Sequence, residues 1–240
     1  MKEKLTIVLL PGLNGTAGLF KPLMDSAPSQ YRVRAITYPT HRKCSYQELL
    51  YQLMDTLDDI EGPYVLLGES FSGPLSLMAA YQRPAGLLGV ILVATFVIPP
   101  NSKVARVVPW EMGFSLHKPL HSVMEWLGLD MTYQAQEPSQ PLSLLTALSV
   151  ELQKVSPLVL ADRMQSIFSV DVRKELAAID VPLRYFKGVR DIIVPKKNSE
   201  IIQEINPKVS CIDFDVDHFL LQKKPIEAWR EISSFVDSLI

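Results

Sequence analysis

The sequence predicts an α/β protein, a mostly parallel six-stranded sheet with helices on both faces, interrupted by a helical insertion. Three observations lead there. Short apolar, β-branched runs alternate with segments of helical periodicity along 240 residues, the rhythm of a parallel sheet covered on both sides. The composition, 48% apolar and 21% charged, is that of a folded protein with a large core. Glycine is scarce at 11 and proline abundant at 18, so each glycine is expected to mark a position that requires one.

The first run, residues 5–10 (LTIVLL), stops at Pro11. It reads as a buried strand of a cytoplasmic protein, because six apolar residues are too few for a secretion signal and no small-residue cleavage site follows. Behind it comes Pro11-Gly12-Leu13-Asn14-Gly15-Thr16-Ala17-Gly18, a glycine-rich turn in a glycine-poor chain. A second strand is expected over 33–38. A helix follows over 45–59, where Leu49, Leu50, Leu53, Met54 and Leu57 share one face. The third run, 64–67, leads into a helix over 72–82, and the fourth spans 88–96. After the insertion come strands over 183–187 and 209–214, with helices over 198–205 and 225–239. Pro63, Pro182 and Pro207 stand just before strands, where a missing N–H does least damage.

The rhythm breaks over residues 99–165, which are read as a helical lid inserted in a single domain of 1–240. Seven of the 18 prolines fall between Pro99 and Pro157, no strand pattern is present, and Trp110, Met112, Phe114, Met124, Trp126, Met131 and Tyr133 supply bulky apolar groups. These side chains either form a local core between lid helices or, for Trp110, Phe114, Met124 and Trp126, contact a substrate.

Charge excludes other classes. With 24 basic and 26 acidic residues and a net charge of −2, the chain has no basic footprint for nucleic acid. Its longest apolar stretch, 90–98, is about half the ~20 residues that cross a bilayer. The two cysteines, Cys44 and Cys211, lack metal-type spacing, so neither a disulfide framework nor a metal site is expected. Cys211, in a strand-like run, is expected in the core.

The most informative stretch is Gly68-Glu69-Ser70-Phe71-Ser72-Gly73, between a strand and a helix. It nearly fits G-x-S-x-G, in which a serine on a sharp strand-to-helix turn projects its hydroxyl above the sheet. Ser72 replaces the second glycine, and Gly73 comes one step late. The alternative role for Ser70 is that of an N-cap for the following helix. A nucleophilic serine needs a base and an orienting acid, which in this architecture follow in the order Ser, Asp, His. Asp191 lies in Gly188-Val189-Arg190-Asp191-Ile192-Ile193-Val194-Pro195 beyond the fifth strand, and His218 lies just past the sixth. All three would converge at the carboxyl edge of the sheet. Asp213, Asp215 and Asp217 are rival acids, but their alternation with Phe214 and Val216 places them on one polar strand face. His41 falls in an early loop, and Pro119 between His117 and His121 spoils a helical metal pair. The glycine turn lacks phosphate-binding signatures; the backbone N–H groups of Leu13 and Phe71 would instead form an oxyanion hole.

With these motifs in this order, the chain resembles the α/β-hydrolase superfamily over nearly its whole length. The resemblance implies the α/β-hydrolase fold, a lid after the strand ending near Phe96, and a Ser70-His218-Asp191 triad acting without a cofactor. It also implies a member that opens on the family's third strand, without the usual two-strand N-terminal hairpin. Pro11 stands where many relatives carry histidine. The expected reaction is cleavage of a small-molecule carboxylic ester or thioester with a hydrophobic portion through an acyl-enzyme. Acyl transfer, cofactor-free lyase chemistry on the same triad, and non-catalytic ligand binding are the other readings.

Overall fold

The computed structural model describes residues 4–100 and 144–240. Its centre is a six-stranded, wholly parallel sheet in the order β2-β1-β3-β4-β5-β6. The strands are β1 (Thr6–Leu10), β2 (Arg32–Ala35), β3 (Tyr64–Glu69), β4 (Leu87–Val93), β5 (Leu183–Gly188) and β6 (Ser210–Phe214). Helices α1 (Lys21–Asp25), α2 (Tyr46–Asp58) and α3 (Ser72–Tyr81) belong to the first half of the chain. Before β5 come α4 (Leu144–Gln153), α5 (Pro157–Ser169) and α6 (Arg173–Ala178), and after it α7 (Lys197–Ile205), α8 (Leu220–Lys223) and α9 (Pro225–Asp237).

Strand periodicity divides the core in two, because successive side chains point to opposite faces. Val8, Leu10, Leu66, Val90 and Leu92 pack on one side with Leu49 and Leu53 of α2, Leu75 of α3, Met164 and Ile167 of α5, and Ile202 of α7. Ile7, Leu9, Val65, Leu67, Ile91 and Val93 pack on the other with Leu23 of α1 and Trp229, Ile232 and Phe235 of α9. Each fully buried aliphatic side chain of this kind contributes about 1.5–3 kcal/mol. The sheet is thereby a stiff platform, and the loops at its carboxyl edge inherit its rigidity. Local signals agree: Ser45 and Glu48 form a reciprocal capping box at the start of α2.

Two strands end earlier than their apolar runs. β4 stops at Val93 rather than continuing to Phe96, since Ala94 turns the chain at φ +46° and the Thr95 N–H leaves the ladder for the Tyr185 hydroxyl at 3.0 Å. β2 stops at Ala35 because the chain then bends toward the glycine turn, where the Tyr38 N–H donates to the Gly15 carbonyl at 2.8 Å. Cys211 is only partly buried, at the margin of the core rather than within it, because β6 is an edge strand. Both cysteines are free thiols. No helix among the described residues is long and apolar enough to cross a membrane.

Candidate active site

Ser70 stands on the turn between β3 and α3 at φ +50°, a conformation rarely open to a serine. Its surroundings over-determine it. The Ser70 N–H donates to the Val93 carbonyl at 2.9 Å, and the Ser70 carbonyl accepts from the Gly73 N–H at 3.1 Å and from the Thr95 hydroxyl. The N-cap alternative fails, since Phe71 is the cap of α3 and no side chain caps it. Gly68 is required because a Cβ there would lie 2.5 Å from Ser76 Oγ and 2.7 Å from the Ser72 carbonyl oxygen. Ser72 uses its hydroxyl where glycine would have none: it donates to the Pro11 carbonyl and accepts from Tyr38 Oη at 2.6 Å.

Two further loops reach the same edge. His218 follows β6, with Nε2 3.0 Å from Ser70 Oγ and Nδ1 2.8 Å from Asp191 Oδ2. The other Asp191 oxygen accepts from the N–H groups of Ile193 at 2.9 Å and Val194 at 2.8 Å, so the carboxylate cannot rotate freely. Burial alone would lower the His218 pKa, but the charge and hydrogen bond of Asp191, with Glu69 and Asp217 beyond it, outweigh burial and raise it. The two loops touch at Gly188, where a Cβ would meet the Asp217 carbonyl oxygen at 2.4 Å.

The rival aspartates do not share a strand face. β6 ends at Phe214, and the chain bends before the third of them. Asp213 pairs with Lys187 at 2.8 Å and Asp215 with Arg190 at 2.5 Å, both at the surface. Asp217 is buried, holding Lys223 at 2.5 Å and the Phe219 N–H at 3.1 Å. Its side chain therefore staples the loop that carries His218.

The glycine turn lies over the elbow. The Gly12 carbonyl accepts from the Gly15 N–H at 2.9 Å; in a trans peptide the Leu13 N–H then points the opposite way. Phe71 is fixed by a stacked contact with Tyr46 at 4.7 Å and by the Tyr46 hydroxyl, which donates to its carbonyl at 2.8 Å. Trp110, Phe114, Met124 and Trp126, like His117 and His121, lie outside the described residues.

Several polar residues at this edge carry no sequence motif. Glu69, buried beside Ser70, has its carboxyl pKa raised by burial, with the Gln222 amide at 2.9 Å, His218 and the Gly12 N–H pulling the other way. Glu151 of α4 and Arg163 of α5 reach the glycine turn. The readable signal for Arg163 was its spacing, since it falls on the same face of α5 as Leu160, Met164 and Ile167. That for Glu69 was a carboxylate closing an otherwise apolar strand. Among the described residues no cluster of three His, Cys, Asp or Glu side chains is arranged to hold a metal ion.

No protein-family model matches the chain. It is 22% identical, over 87% of its length and 86% of the relative's, to a pimeloyl-[acyl-carrier protein] methyl ester esterase of Nitrosomonas europaea. Identity is 25%, over 86% and 84%, to the protein of the same description from Xanthomonas axonopodis pv. citri. Among solved structures, an esterase from Exiguobacterium antarcticum superposes with a TM-score of 0.80 at 15% identity, covering 99% of this chain and 93% of that one. The enol-lactonase from Burkholderia xenovorans LB400 superposes at 0.77 and 17% identity, covering 98% and 91%. A fold shared along almost the full length of both chains shows that this chain has the α/β-hydrolase fold.

Proposed function

We propose that this protein is a serine hydrolase that cleaves a carboxylic ester through Ser70, His218 and Asp191. The observation that carries the reading is the unbroken line from Ser70 Oγ to His218 Nε2 at 3.0 Å and from His218 Nδ1 to Asp191 Oδ2 at 2.8 Å, with the serine held on a strained turn. His218 accepts the Ser70 proton as the hydroxyl oxygen bonds to the ester carbonyl carbon. The carbonyl π electrons move to oxygen, and the Leu13 and Phe71 N–H groups stabilise that oxyanion. Asp191 keeps Nδ1 protonated and stabilises the imidazolium. Collapse of the intermediate breaks the bond to the alcohol, which leaves with the proton from His218. A water activated by the same imidazole then releases the acid and restores Ser70.

The methyl esterases among the relatives favour a methyl ester on an acyl chain with a hydrophobic portion, the lid over 99–165 forming part of its pocket. The free thiols of Cys44 and Cys211 suit a reducing compartment, and we place the protein in the cytoplasm. A fluorophosphonate probe is expected to label Ser70, and p-nitrophenyl esters to be hydrolysed, with both lost in Ser70→Ala. A fully active Ser70→Ala protein overturns the assignment. Methyl esters graded by acyl length, assayed with and without an added alcohol or thiol acceptor, separate hydrolysis from acyl transfer and read out the pocket.

A further inference from the structure

The turn that would supply one oxyanion donor is gripped from outside the sheet by a buried cation. Arg163, on α5, is 2% exposed. Its Nη1 donates to the carbonyls of Leu13 at 3.0 Å and Asn14 at 2.8 Å, and its Nη2 to that of Pro39 at 2.9 Å. The guanidinium also lies over the Tyr38 ring, 5.7 Å from its centroid. Gly15, at φ +67°, sits so close beneath that a Cβ would fall 2.2 Å from Nη1.

A buried charge is costly unless its donors are met, and an apolar residue at 163 would complete the face formed by Leu160, Met164 and Ile167 without that cost. What arginine adds is direction. The Gly12–Leu13 peptide plane is set by the Gly15 N–H bonding the Gly12 carbonyl, and the next plane, Leu13–Asn14, by Arg163. The Leu13 N–H belongs to the first plane, and fixing the second holds the Leu13 Cα about which the first would otherwise turn, so that N–H has little freedom. A second tie runs from Asn14 through Thr16 to Glu151 of α4, at 2.6 Å for each step.

We propose that Arg163 is a positioning residue for the oxyanion hole, so that the catalytic geometry of the Leu13 N–H depends on the docking of α5. The proposal rests on the hydrolase reading above and adds a residue to it.

Arg163→Met and Arg163→Lys in the full chain, assayed on a p-nitrophenyl ester, test it. Arg163→Met is expected to lower kcat about 10- to 100-fold, as expected of a misplaced rather than deleted donor, with KM within about 3-fold. Added methylguanidinium should restore part of the loss, and Arg163→Lys should fall between wild type and Arg163→Met. Amide exchange at Gly15 and Tyr38 should accelerate in Arg163→Met while that of β3 does not, a readout independent of turnover. Wild-type kcat in Arg163→Met, or a loss confined to KM, overturns the proposal. If Arg163→Met does not fold, wild-type kcat and exchange in Arg163→Lys overturn it instead. Ser70→Ala run alongside separates the two levels: if it is inactive while Arg163→Met is fully active, only the role of Arg163 falls, whereas an active Ser70→Ala removes the reading beneath it.

Discussion

Strands β1, β3 and β4 bury hydrocarbon almost exclusively, whereas residues 14–16 of the glycine turn, directly above β1, are buried against Arg163 and Glu151. The two regions are both hidden from water and are held in different ways. Apolar burial is roughly proportional to area and has no direction, so it decides which element lies against which. Hydrogen bonds to charged groups are directional and stronger than neutral ones, so they decide where individual N–H groups and imidazole nitrogens point. The site is built on the second kind of contact, mounted on the first.

The comparison predicts that polar changes at the edge cost rate and apolar changes in the sheet cost stability. The largest effect is expected for Asp191→Asn, which should lower kcat on the order of 10³- to 10⁴-fold with a thermal midpoint close to wild type. The amide oxygen stays with the Ile193 and Val194 N–H groups, so the NH2 faces His218 Nδ1 and imposes the wrong imidazole tautomer. Ile91→Ala, beneath the site in β4, should remove about 2–5 kcal/mol of stability by urea titration while kcat well below the midpoint stays within about 3-fold. Were Ile91→Ala to lose rate as Asp191→Asn does, the division between platform and site would break.

Asp217→Asn sharpens the contrast within one loop. Lys223 and the Phe219 N–H lose a carboxylate, so about 1–3 kcal/mol of stability should go, with kcat changed less than about 5-fold. A larger rate loss there than in Asp191→Asn would move the acid to the staple. The smallest effect is a displacement in pH. The base must be neutral to accept a proton, and its raised pKa means that kcat/KM falls with acidification through a limb above the ordinary imidazole value of about 6.5. Removing the Asp191 charge should move the limb downward; a wild-type limb below the ordinary value contradicts the assigned surroundings of His218.

Much of this was legible without coordinates, for identifiable reasons. Strand and helix periods are local, so the six strands and the helices α2, α3, α7 and α9 were readable from apolar spacing, and the Ser, Asp and His of the site were readable because each follows a strand. Where local signals ended, the reading ended. The apolar run past Val93 did not reveal that the strand ends there: the Ala94 N–H still bonds the Phe186 carbonyl, but the N–H and carbonyl of Thr95 both go to the Tyr185 hydroxyl on the neighbouring strand. The alternation of Asp213, Asp215 and Asp217 suggested one strand face, and only the bend after Phe214 separated them.

Local patterns in the sequence were enough for the class of fold, the placement of Ser70 on a strand-to-helix turn and the chain order of Asp191 and His218 behind it, because each of these depends on neighbours a few residues away. Only the folded chain reveals that Asp217, next to His218 in sequence, turns to Lys223 instead, that the hydroxyl of Ser72 ties the elbow to Pro11, and that Arg163 faces the glycine turn 150 positions away in sequence. Those outcomes depend on how β1, β3, β4, β5 and β6 stand side by side and on where α5 docks. Such long-range pairings leave no period in the chain, and an arginine on a helix looks the same in sequence whether it faces water or three backbone carbonyls.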